Sequence, residues 1–194
     1  MTEAFFKVEH LTKLFPVGFP SCTAQEALVH LQNGLSREEL KAKHHMLAAV
    51  HDVSLEVRQG ECLTLIGLSG SGKSTLLRCL NRLQEPTAGK IFFQGQEVTA
   101  YNKDQLLQFR QQHVAMVFQN FGLMTHRNVL DNVCYGLEVQ GMDKEQRYVK
   151  GRAMLEMVGL TGWEGEVVQG LSGGMMQRVG LARALAGESD ILLV

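Results

Sequence analysis

The sequence predicts an α/β domain that carries a helical subdomain, and three observations predict it. Short apolar runs alternate with helical patterns up to Phe118 and again from Ser172 onward. Between Asn120 and Gly170 only helical patterns and loops occur. A glycine-rich octapeptide, Gly67–Ser74, joins an apolar run to a helical pattern, as at a strand-to-helix turn. The chain of 194 residues, 45% apolar and 20% charged, is long enough to bury a core of its own.

Taken in order, Phe5 to Leu14 reads as an opening strand and turn. Residues 23–33 set Ala24, Ala27, Leu28 and Leu31 at helical spacing, with Gly34 as the stop. Ser36 and Glu39 make a capping-box start for a second short helix. Leu47 to Val57 and Leu63 to Ile66 read as strands parted by a turn at Gln59-Gly60. Ser74 to Leu83 reads as a helix, Ile91 to Phe93 as a strand, and Val114 to Phe118 as a buried strand. Val129 to Leu137 and Lys144 to Val158 are helices of the insert. Ser172 caps a helix running to Leu185, and Ile191 to Val194 begins a further strand.

Bulk properties exclude several classes. A net charge of −1, without basic runs, argues against nucleic acid and against an anionic membrane surface. Cys22, Cys62, Cys79 and Cys134 lie far apart, which suits buried reduced thiols rather than a disulfide framework or zinc site. His44, His45 and His51 lack a third ligand at fixed spacing and read as surface residues. The N-terminus, with acidic Glu3, reads as no signal peptide. No run approaches the roughly 18 apolar residues of a membrane span. Any service to a membrane is then as a peripheral partner.

Gly67-Leu68-Ser69-Gly70-Ser71-Gly72-Lys73-Ser74 satisfies the P-loop pattern in full. The glycines allow the tight turn that points successive N–H groups at phosphate oxygens. Lys73 is the point charge for the β- and γ-phosphates, Ser74 supplies a hydroxyl for Mg²⁺, and the helix through Thr75 adds its positive end. The pattern arises by chance in a chain this long on the order of one time in a hundred. A plain Gly-Ser loop would use the same residues, but the flanking strand and helix weigh against it.

Leu171-Ser172-Gly173-Gly174-Met175 resembles the signature motif of ABC transporter ATPases, and so does Gln177-Arg178-Val179-Gly180-Leu181-Ala182-Arg183-Ala184-Leu185 downstream. By itself the motif could be an N-capped helix after a surface turn. Val117-Phe118-Gln119-Asn120 is similar to the family's Q-loop, and Phe15 falls at its adenine-stacking aromatic position. Apart from the order of motifs, Gln119 would be a polar surface residue and Phe15 a core phenylalanine. The resemblance covers essentially the whole chain. It implies a P-loop NTPase (RecA-like) core with an antiparallel β subdomain, and a helical subdomain inserted over residues 120–170.

The same resemblance implies ATP and Mg²⁺ as cofactors. Phe15, residues 67–75 (Leu68, Ser69 and Ser71 among them), Gln119, Ser172, Gly173 and Gly174 would bind nucleotide, and Ser74 with Gln119 would serve the metal. Lys73 and Gln119 would be the catalytic groups in this stretch. A second copy would complete each site head to tail, and a transmembrane permease would receive the motion at the cytoplasmic face. An extracytoplasmic substrate-binding protein would act indirectly.

Residues 16–48, with two helices, resemble the insertion in quaternary-amine uptake ATPases, which power import of glycine betaine, proline or choline. Leu80 to Thr87, Ala115 to Gln119, Leu123-Met124, Val129 to Asn132 and Met175 agree with that subfamily. Importers of methionine or other polar amino acids remain the nearest alternative. In relatives an Asp-Glu pair ends the strand after the signature helix. Here the domain, residues 1–194, stops at that strand, and Asp190 precedes it at the wrong end. The 194 residues are therefore expected to bind Mg-nucleotide weakly and to hydrolyse it negligibly. A non-hydrolysing regulator or decoy is the alternative of a different class.

Overall fold

Strand β1 (Phe6–Pro16) pairs antiparallel with β2 (Met46–Val57) along almost its whole length in the computed structural model, which describes residues 4–194. Phe6, Val8, Leu11 and Leu14 of β1 are buried. The step from Val8 to Leu11 breaks the two-residue period because the register shifts between them. His10 and Asp52 flank that shift at φ of 49° and 53°, and His10 Nδ1 stands 2.7 Å from Asp52 Oδ1. β1 also pairs with β3 (Ala88–Phe93), and β3 with the short β4 (Gln96–Glu97), giving the sheet order β2-β1-β3-β4.

Helices α1 (Ala24–Gln32) and α2 (Arg37–His44) fill the excursion between β1 and β2. Both begin with a capping box, Thr23 with Glu26 and Ser36 with Glu39. Ala27, Leu28, Leu31 and Leu40 pack with Leu14, Met46 and Ala48 into one buried cluster. β1 continues to Pro16, opposite Met46, so the helical part occupies residues 24–44 of the expected 16–48. Helix α3 (Lys73–Leu80) follows the glycine-rich loop.

The chain divides after Asn102, and residues 103–194 form the second unit. There α4 (Lys103–Gln112) leads into β5 (Val114–Met116), which pairs in parallel with β6 (Ile191–Leu193). Helices α5 (Val129–Val139), α6 (Lys144–Met157) and α7 (Gly173–Ala186) share a core of Val129, Val133, Leu137, Leu155, Leu160, Val179 and Ala182. Among the described residues no helix is long and apolar enough to cross a membrane.

Three expectations need correction. Leu63–Ile66 forms no strand, and Leu63 and Ile66 are 46% and 93% exposed. A strand exists through its pairing, and no described residue ladders with this one. The strand at Val114 stops at Met116 and is half-buried, although the Val117 N–H still donates to Leu193 O at 2.8 Å. The thiols are not all buried. Cys79 and Cys134 are, and burial pushes both up to about 11, whereas Cys62 is exposed.

Candidate nucleotide site

Gly70 and Gly72 sit at φ of 80° and 95°, which lets the loop turn twice within three residues. A Cβ on Gly72 would overlap the Ala49 carbonyl of β2, so the loop lies directly on that strand's backbone and only glycine fits. Gly72 is also the N-cap of α3, and no side chain caps that helix end. The first amide N–H groups of α3 are therefore left for an outside acceptor.

Lys73 folds back over the loop. Its Nζ donates to Gly67 O at 2.8 Å and Leu68 O at 2.9 Å. The cation is thus held above the backbone that a phosphate would approach. Ser69, Ser71 and Ser74 are exposed, and Thr75 is half-buried. These residues fit a Mg-nucleotide: a glycine-rich turn, a cation and a hydroxyl at one helix start. Phe15 lies in the same unit, half-buried near the end of β1, with Lys13 Nζ 4.9 Å from its ring centroid.

The remaining expected site residues lie in the second unit. Gln119 is exposed in the turn after β5. Ser172 is the N-cap of α7, its hydroxyl accepting from Met175 N–H at 3.3 Å, and Gly173 and Gly174 are exposed with nothing near a built Cβ. The dipole and free N–H groups of a 14-residue helix make that end suited to an anion. Asp190 is held by His113, Nδ1 to Oδ2 2.6 Å, at the start of β6. Gln119 follows the far end of β5, which runs parallel to β6, so Asp190 stands at the opposite end of this strand pair.

Two contributors carry no signal in the motif itself. The Ala49 carbonyl underlies Gly72 from a strand more than twenty residues upstream. Arg183, in α7, donates to Phe121 O at 2.8 Å and Gly122 O at 2.7 Å in the turn after Gln119. A buried-side arginine on a helix packed by Val179, Ala182 and Ala186 is the only hint of it in sequence.

The chain is similar to several known proteins. The family model described as ABC transporter matches residues 50–194. The chain is 48% identical over 188 residues to the glycine betaine/carnitine transport ATP-binding protein GbuA of Listeria monocytogenes, covering 97% of this chain and 46% of that protein. It is 46% identical over 188 residues to the glycine betaine transport ATP-binding protein OpuAA of Bacillus subtilis, covering 97% and 44%. The chain thus spans less than half the length of these two curated relatives. A dimeric ATP-binding cassette solved in a post-hydrolysis state with ADP and Pi superposes with a TM-score of 0.79 at 28% identity, covering 96% of this chain and 72% of that one. With the family model across well over half of its residues, the chain belongs to the ABC transporter family.

Proposed function

We propose that the protein is the ATP-binding subunit of an importer for glycine betaine and related quaternary amines, working at the cytoplasmic face of the membrane as a peripheral subunit. The observation that carries the nucleotide part is the loop from Gly67 to Ser74, seated on the Ala49 carbonyl with Lys73 over it. The substrate class rests on the two betaine-transport relatives, which match nearly the whole chain, the helical excursion included.

In this reading Lys73 leaves Gly67 O and Leu68 O for the β- and γ-phosphates, and Ser74 offers its hydroxyl to Mg²⁺. Phe15 stacks on the adenine. Gln119 orients the attacking water and senses the metal. Ser172, Gly173 and Gly174 cap the γ-phosphate bound by a second copy, and a permease takes up the movement. An extracytoplasmic binding protein delivers the amine to that permease. Bound Mg²⁺ supplies charge neutralisation for phosphoryl transfer.

The test is equilibrium titration with a fluorescent ATP analogue, followed by uptake of labelled glycine betaine in cells lacking their own system. Lys73→Ala is expected to weaken nucleotide binding at least 50-fold and to abolish uptake. Undiminished binding by that variant would overturn the nucleotide assignment. Uptake of an amino acid such as methionine, without betaine, would overturn the substrate class.

A further inference from the structure

The turn that carries Gln119 is not held by its own sequence alone. Phe121 N–H donates to Phe118 O at 2.9 Å, so Gln119 and Asn120 form the corner of a four-residue turn. The chain leaves that corner through Phe121 and Gly122, at φ of 59° and 56°. A left-handed phenylalanine is unfavourable unless its surroundings enforce it. Here they do, from α7. Arg183 donates one nitrogen to Phe121 O and another to Gly122 O, at 2.8 and 2.7 Å. Gly180, one turn earlier, faces the same carbonyl, and a Cβ there would meet Phe121 O at 3.8 Å, an ordinary contact.

Among the described residues no carboxylate pairs with Arg183, and desolvation holds its guanidinium below the usual range. A cation withdrawn from water without a counter-ion needs hydrogen-bond acceptors. The two carbonyls at this turn belong to no helix or sheet ladder, and they supply the acceptors. Ser172, the cap of the same helix, lies eleven residues away, about 16 Å along the axis.

We propose that Arg183 is a positioning residue that clamps the Gln119 turn to α7, so that Gln119 and the Ser172 end of the helix move as one body. The proposal rests on the nucleotide reading above for its consequence in catalysis, but the clamp itself does not.

Hydrogen exchange on the purified protein tests the clamp first. In the unaltered protein, Phe121 N–H is expected to be protected to within tenfold of the α7 amides. Exchange a thousandfold faster than α7 would overturn the clamp whatever any variant does. In Arg183→Lys, exchange at residues 118–122 should rise at least tenfold with α7 unchanged, while nucleotide affinity stays within threefold.

Turnover, measured in the transport complex, should fall at least tenfold in Arg183→Lys through kcat rather than KM. Arg183→Lys combined with Gln119→Ala should be no slower than Gln119→Ala alone. Additive losses, or a turn unchanged by Arg183→Lys, would overturn the proposal. If Lys73→Ala still bound nucleotide, the function reading would fall, and the exchange result would stand.

Discussion

Two glycine-rich stretches, residues 67–72 just before α3 and residues 172–174 at the cap and first residues of α7, are held in opposite ways. Before the first, Ile66 is 93% exposed and unpaired in any ladder, and within it Leu68 is 86% exposed. The loop keeps its shape through backbone torsions at Gly70 and Gly72, the Ala49 carbonyl beneath it, and bonds from Lys73 to its own carbonyls. Behind the second, Val179 and Ala182 are fully buried against α5 and α6. Local torsion shapes one stretch, and a packed core shapes the other. A change in packing should therefore disable the second without touching the first, and a change in torsion the reverse.

The largest effect is expected from the core. Leu155 is fully buried among Val133, Leu137 and Val179, and Leu155→Ala should cost about 3 kcal/mol. Hydrogen exchange should show α5, α6 and α7 losing protection while β1 and β2 keep theirs. Equal loss in both units would show that the core does not belong to the second unit alone.

Next in size is Gly72→Ala, which adds a Cβ onto the Ala49 carbonyl at a φ of 95°. Nucleotide affinity should fall roughly 30- to 100-fold, about 2 to 3 kcal/mol. Titration with a fluorescent nucleotide measures it, and α7 protection should stay as it was. An affinity within threefold of the unaltered protein would mean that the loop's shape does not rest on this contact.

Smaller again is Ser172→Ala. It removes the side chain that accepts from Met175 N–H, and should cost about 1 kcal/mol of α7 stability. Exchange at residues 173–176 reads it. A loss spread across all of α5 and α6 would make Ser172 more than a cap.

The same division explains what could be read from sequence. Signals that act within a few residues were legible. The Ser36–Glu39 box starts α2, and Ser172 starts α7. The spacing of Ala27, Leu28 and Leu31 matches their burial in α1. Signals that need a distant partner were not. Leu63–Ile66 has strand composition without a strand, since composition cannot supply the neighbouring ladder. Helix α4 carries almost no periodic signal in sequence, because only Phe109 of its ten residues is buried, leaving almost no apolar stripe. In the site, the glycine–lysine spacing marks the loop, whereas Ala49 and Arg183 enter through contacts 23 and about 60 residues away in sequence.

The smallest effect expected lies at α2, and it isolates the local kind of control. Ser36 N–H donates to Glu39 Oε2 at 3.1 Å, the Ser36 hydroxyl does so at 3.0 Å, and Lys43 Nζ reaches Oε1 at 3.0 Å. The Ser36 backbone bond first, then Lys43, hold the Glu39 carboxyl at about 2, well under the ordinary glutamate value of roughly 4.3. Because the folded value is the lower one, the carboxylate contributes to α2 above roughly pH 4.3. That contribution is lost as pH falls toward 2. Glu39 is exposed, so salt screens its pairing with Lys43 more than its bonds to Ser36. An NMR titration of the Glu39 side chain should show a midpoint near 2. Ser36→Ala should raise it while keeping part of the shift, since the backbone donor remains. Lys43→Ala should raise it less, and less still at high salt. A midpoint that follows Lys43 and ignores Ser36 would move control of this helix start from the cap to the ion pair.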